Sequence, residues 1–189
     1  MSTFTHPWHI KRAVETLKSG GVIAYPTEAV WGLGCDPWNS VAVERLLRLK
    51  SRAMHKGLIL ACGEIEQLDF LLHGLTPEKY QTLLDSWPGP NTWLVPDSAN
   101  VIPQWVKGSH DTVAVRVSKH SLIKEMAAQF GRPIVSTSAN PAGAEPAMNG
   151  LRIRQYFGRQ IDYIVPGSIG GEKQPSRIRS LETGQVIRS

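Results

Sequence analysis

Five short apolar runs constrain this chain most: "VIAYP" (22–26), "GLILAC" (57–62), "NTWLV" (91–95), "TVAVRV" (112–117) and "PIVSTS" (133–138). Each is bounded by proline, glycine or polar residues, and so reads as a short buried strand. Between them the apolar spacing becomes helical. In "WHIKRAVETLKSGG", Ile10, Val14 and Leu17 share one helix face, and Gly20-Gly21 supplies the stop. "VAVERLLRLK" resumes that spacing after Ser40, read as an N-cap, and "EIEQLDFLLH" follows as a helix. "TPEKYQTLLDSW" has Thr76 as N-cap with Pro77 at the first helical position; "SLIKEMAAQFG" ends at Gly131; a last short helix is expected around Arg152 to Phe157. Alternation of this kind predicts an α/β sheet covered by helices on at least one face. The Pro- and Gly-containing loop between "NTWLV" and "TVAVRV" argues against a wholly parallel sheet.

At 189 residues the chain fits one domain, 1–189, able to bury a core without disulfides or a structural metal. No apolar run approaches the roughly 20 residues of a membrane span, and His6, His9, Lys11 and Arg12 interrupt the place where a secretory signal would run. A cytoplasmic protein without membrane association is expected. Cys35 and Cys62 lack metal-site spacing and are read as reduced, mostly buried thiols. The net charge of +5 favours anionic partners, either nucleotide phosphates or a nucleic acid.

Four stretches could carry chemistry. In "AYPTEAVWGLGC" a strand ends in Thr27 and Glu28, at the kind of edge where open α/β sheets build ligand crevices; taken alone, the pair fits an ordinary polar strand end better. Gly32 and Gly34 read as room for the chain to turn beneath a ligand, and Glu28 as a group orienting a neighbouring cation or amide. In "LKSRAMHKG", Lys50, Arg52 and Lys56 crowd a helix end, where the macrodipole alone favours cations but where polyphosphate would also suit them. "VSTSANPAG" offers Ser136, Thr137, Ser138 and Asn140 at a strand end, as a phosphate or carboxylate site or as a plain turn. Arg116 alternates with valines in "DTVAVRVSKH", so it is either exposed or held for an anion. The chain has no glycine-rich nucleotide loop, no H-E-x-x-H and no G-x-S-x-G elbow, so separate strand ends would have to hold any nucleotide.

Taken in order, "VIAYPTEAVWGLGC", "LKSRAMHKGLIL", "WPGPNTWLV", "DTVAVRVSKH", "PIVSTSANPAG" and "PGSIGGEKQPSRIR" resemble the threonylcarbamoyl-AMP synthase family, the YrdC-like domain, in its short bacterial form. The resemblance implies a twisted open sheet of mixed parallel and antiparallel strands flanked by helices, around a large basic concave cavity. It implies a nucleotidyltransferase that condenses L-threonine, bicarbonate and ATP, with Mg²⁺ on the phosphates and no permanently bound cofactor or protein metal site. Its product would pass to a tRNA threonylcarbamoyl transferase acting on the adenosine 3′ of the anticodon in tRNAs reading ANN codons. Carried onto this chain, Thr27, Arg116, Ser136 and Ser176 would meet threonine; Lys50, Arg52, Ser138 and Asn140 would form the catalytic phosphate group; Thr112 and Arg188 would help hold ATP. Ala29, Trp31 and Ala53 depart from the family's usual threonine, tyrosine and proline, and bear on how the threonine side chain is enclosed. Charge alone also permits a non-catalytic RNA-binding or ribosome-maturation protein, with tRNA or other RNA held on a basic groove. A carbamoyl-transferring domain of a hydrogenase-maturation protein shares the motifs but belongs to much longer chains.

Overall fold

The alternation resolves into nine strands and seven α-helices in the computed structural model, which describes residues 5–188. The strands are β1 (Ile23–Pro26), β2 (Trp31–Gly34), β3 (Ile59–Cys62), β4 (Asn91–Pro96), β5 (Thr112–Val117), β6 (Ile134–Ser138), β7 (Tyr163–Ile164), β8 (Arg177–Ser180) and β9 (Val186–Arg188). The helices are α1 (Pro7–Lys18), α2 (Ser40–Lys50), α3 (Asp69–Leu72), α4 (Pro77–Leu84), α5 (Gln104–Lys107), α6 (Ser121–Phe130) and α7 (Gly150–Phe157). They form one mixed sheet in the order β7-β1-β2-β6-β3-β5-β4-β8-β9. Pairs β1/β7, β3/β5 and β4/β8 are parallel; β1/β2, β2/β6, β3/β6, β4/β5 and β8/β9 are antiparallel.

Three sequence expectations need correction. Asn39, not Ser40, caps α2: its side-chain oxygen accepts from Ala42 N at 3.0 Å, and Ser40 is already helical. Gly32 and Gly34 do not form a turn but lie within β2, paired to β1 on one side, while β6 flanks β2 on the other. A side chain at Gly34 would meet Val135 O at 2.6 Å and the Tyr25 ring at 2.8 Å, so close strand approach dictates this glycine. The C-terminal stretch, where the sequence marks no strand, supplies β7, only two residues long, and β8 and β9, too polar or exposed to show alternation. "EIEQLDFLLH" is helical, but as a 3₁₀ turn (Ile65–Leu68) running into the one-turn α3.

Strand alternation gives the sheet two faces. One carries Ala24, Leu33, Leu60, Trp93, Val95, Val113 and Val115, packed under Ala42, Val43, Leu46 and Leu47 of α2 and Ile153 and Phe157 of α7. The other presents Ile23, Tyr25, Ala61 and Ile134 to Ile10, Ala13, Val14 and Leu17 of α1 and Leu122, Ile123 and Met126 of α6. These two helices cover only part of that second face. The same alternation in β5, which buries Val113, Val115 and Val117, turns Thr112, Ala114 and Arg116 to the uncovered part. Among the described residues no helix is long and apolar enough to cross a membrane.

Candidate active site

The uncovered part of the sheet floors a cavity of about 500 Å³. Its floor comes from Ile59 and Ala61 of β3, Leu94 of β4, Thr112, Ala114 and Arg116 of β5, and Ser136, Thr137 and Ser138 of β6. Gly32 of β2 adds a bare backbone, and Ile178, Ile187 and Arg188 of the β8/β9 hairpin close one side. A cavity of this size, with an apolar floor and a few convergent polar groups, suits a small ligand rather than a polymer.

At one end, the turn after β1 buries Glu28 against Arg116 of β5. Arg116 Nη2 lies 2.7 Å from Glu28 Oε1, Ser118 Oγ donates to the same oxygen at 2.6 Å, and Arg116 Nε donates to Gly89 O at 3.1 Å. Arg116 is therefore neither exposed nor unpaired; its side chain is 13% accessible and held rigidly at the cavity wall. Thr27 Oγ1 donates to Val30 O at 2.7 Å, which fixes the turn and leaves the oxygen lone pairs free to accept. The segment after β7 crosses this end, Gly170 N donating to Thr27 O and Glu172 N to Glu28 O, each at 2.9 Å. It leads to Ser176, whose hydroxyl shares a 2.7 Å hydrogen bond with the buried Thr92 of β4.

The other end is cationic. Ser51 takes the left-handed conformation and closes α2, with Arg52 N returning to Leu47 O, so that Arg52 leaves the helix towards the cavity. Its guanidinium donates to Gly57 O at 2.9 and 3.2 Å and is half-buried. Burial, and then the nearby Arg188 guanidinium, hold its pKa below the ordinary arginine value. Lys56, Lys107 and His110 line the same region. Two guanidiniums that repel across a cavity make a receptive site for a polyanion.

Lys50 and Asn140 do not reach the cavity wall, whereas Thr27, Arg52, Thr112, Arg116, Ser136, Ser138, Ser176 and Arg188 all line it. Lys50 is 5% exposed and acts from behind: its ammonium donates to the backbone carbonyls of Ser138 and Asn140, holding the turn that presents Ser138. Burial, reinforced by Arg52, pushes its pKa down to about 8. Asn140 uses its amide to hold Pro141 O and Ala144 O at 3.1 and 2.7 Å. Trp31 is 3% exposed and lines the cavity beside Ala29. Lys107, Glu172 and Gln174 are wall residues that the sequence reading did not single out. Lys107 carried no signal, because the Asp97 that holds it at 3.0 Å comes from a loop ten residues away.

A protein-family model, Sua5/YciO/YrdC, described as "Telomere recombination", matches residues 15–189. The threonylcarbamoyl-AMP synthase of Pseudomonas fluorescens (strain Pf-5) is 54% identical over 181 residues, 96% of this chain and 97% of that protein. That of Saccharophagus degradans is 56% identical over 180 residues, 95% of this chain and 94% of that protein. Among solved structures, P. abyssi Sua5 complexed with L-threonine superposes with a TM-score of 0.87 at 30% identity, covering 96% of this chain and 53% of that one. The chain thus spans about half of that longer protein. E. coli YciO, with a TM-score of 0.86 at 23% identity over 100% of this chain and 92% of its own, shares the fold.

Proposed function

Since the chain belongs to the Sua5/YciO/YrdC family, we propose that it is a threonylcarbamoyl-AMP synthase, a nucleotidyltransferase acting in threonylcarbamoyl modification of tRNA. The observation that carries this is 54% identity to a threonylcarbamoyl-AMP synthase across 96% of the chain and 97% of the relative. L-threonine and bicarbonate give a threonylcarbamate with release of water and a proton; a carbamate oxygen then attacks the α-phosphorus of ATP and pyrophosphate leaves. The residues 1–189 act as one catalytic domain with a basic concave cavity.

The chemistry asks for positioning and charge neutralisation more than for a nucleophilic side chain. Arg116 takes the threonine carboxylate, and Thr27, Ser136 and Ser176 surround the rest of the amino acid; that P. abyssi Sua5 was solved in complex with L-threonine supports threonine as the ligand. Arg52 and Ser138 meet the phosphates, with Lys50 and Asn140 fixing the Ser138 turn from behind. Thr112 and Arg188 hold the nucleotide. The cavity carboxylates Glu28 and Glu172 are already paired with Arg116 and Lys119, so Mg²⁺ enters on the ATP phosphates and keeps phosphate and water ligands. A cytoplasmic transferase consumes the adenylate at the adenosine 3′ of the anticodon in tRNAs reading ANN codons, and the basic surface can approach tRNA.

Purified protein given ATP, L-threonine and bicarbonate releases pyrophosphate, measured by a coupled phosphate assay, and omitting threonine stops the release. Pyrophosphate formation that ignores threonine, or none at all, refutes this reading and favours a non-catalytic RNA-binding role.

A further inference from the structure

Glu28 is 3% exposed, lines the cavity, and spends only one of its two oxygens on the protein. Oε1 is shared by Arg116 Nη2 at 2.7 Å and Ser118 Oγ at 2.6 Å, while Oε2 is buried with no hydrogen-bond partner among the described residues. A buried carboxylate oxygen left unpartnered is costly, and native structures rarely keep one without a use. Its neighbour in the wall is the Arg116 guanidinium, which takes the substrate carboxylate in the reading above. In an α-amino acid the amino group is one carbon removed from the carboxylate, so a ligand docked on Arg116 brings its amino group to Glu28.

We propose that Glu28 Oε2 accepts the amino group of the amino-acid substrate, so that Arg116 and Glu28 together read the two ends of a zwitterion. The proposal rests on the threonine reading above and deepens it. The pair also discriminates by repulsion. An anion carrying a carboxylate but no ammonium gains Arg116 and meets the fixed negative charge of Glu28 beside it, whereas a zwitterion satisfies both. Oε2 is shielded from solvent, and the proposal includes a turn of the carboxyl group that presents it to the ligand. The titratable and charged groups facing this carboxylate are Arg116 from β5 and the His120 imidazole at the start of α6, whose pKa burial pushes down, with Lys119 held by Glu172 in an ion pair of 2.5 Å. Two of them keep an unpartnered buried atom, Glu28 Oε2 and His120 Nδ1, and of these only Glu28 carries the negative charge that an ammonium needs.

The test compares two ligands by isothermal titration calorimetry in the presence of ATP: L-threonine, and 2,3-dihydroxybutanoate of the same configuration, in which a hydroxyl replaces the amino group. The wild-type protein binds threonine more tightly by about 10- to 100-fold, the range for a charge-assisted hydrogen bond. Glu28→Gln, which keeps the shape and an acceptor for Ser118, collapses that ratio towards one. If Glu28 only positions Arg116, both ligands weaken by the same factor and the ratio stands, which overturns the assignment. Equal binding of the two ligands by the wild type overturns it without any variant. Binding of neither ligand removes the threonine reading itself, and the assignment with it.

Discussion

Lys50 offers a test that separates stability from activity. Its ammonium is buried behind the cavity wall, with two backbone carbonyls as partners and no carboxylate, and its pKa falls from 10.5 to about 8. Burial is the larger cause, and the positive Arg52 adds to it. The folded value lies below the unfolded one, so between about pH 8 and pH 10.5 the unfolded chain binds more protons. The cost of keeping Lys50 charged is therefore fully present below about pH 8 and is relieved as pH rises through this window. At about 1.4 kcal/mol per pH unit, relief amounts to roughly 2 kcal/mol by about pH 9.5 and about 3 kcal/mol at the end of the window.

The perturbation is Lys50→Met, which keeps the buried aliphatic stem and removes the charge. Urea unfolding of both proteins at pH 7 and pH 9.5 gives the comparison, because every other titrating group is common to the two. The stability of the wild type relative to the variant rises by about 2 kcal/mol between those pH values, equivalent to about 4–8 °C in Tm for a domain of this size. At pH 7 the variant escapes the buried charge but leaves the Ser138 and Asn140 carbonyls without their donor, so the two proteins differ little in stability. Threonine-dependent pyrophosphate release nevertheless falls sharply in the variant, because the turn presenting Ser138 is freed. Superimposable pH dependences of wild type and variant would refute the buried-charge argument. Unimpaired turnover in Lys50→Met would refute the supporting role.

Two further substitutions test the frame. Gly34→Ala places a methyl group 2.6 Å from Val135 O and 2.8 Å from Tyr25, and is expected to destabilise by about 1–3 kcal/mol in chemical denaturation; an unchanged midpoint would mean that β2 yields freely. Asp97→Ala strands the 5% exposed Lys107, held by Asp97 Oδ2 at 3.0 Å and Asn100 Oδ1 at 2.7 Å, and should cost about 3–5 kcal/mol by the same measurement; a loss below about 1 kcal/mol would show that Asn100 and water suffice.

The strands legible in the sequence were interior strands with at least one face packed in the core. "GLILAC", "NTWLV" and "TVAVRV" form the centre of the sheet, and their β-branched and aromatic residues announce it. The C-terminal strands were not legible: "RIRS" of β8 and "VIR" of the edge strand β9 turn polar side chains to a cavity or to solvent, so neither hydrophobicity nor alternation separates them from loop. β2 was missed for a different reason. Its two glycines read locally as flexibility, and only the Tyr25 ring and the Val135 carbonyl packed against Gly34 show them to be steric necessities. Among the site residues, local sequence marked Thr27, Arg52 and Arg116 as polar groups at element ends or within an apolar strand. What it could not give was depth. Lys50 and Arg52 look equivalent two positions apart, yet the helix carries one into the core and the αL turn at Ser51 sends the other to the cavity.

The same difference in depth explains how the chain keeps so much positive charge in one place. Arg52 and Arg188 face the cavity, where an incoming polyphosphate relieves their repulsion, and Lys50 is set back on carbonyls. At the opposite end Arg116 is balanced in advance by Glu28. The two ends therefore differ in what they ask of a ligand. The phosphate end gains by receiving net negative charge, whereas the Arg116 end is already neutral and gains only from a group that brings both signs. A site built from one floor of small and apolar residues can thus sort a polyanion to one side and a zwitterion to the other. It leaves between them the apolar stretch around Ala114.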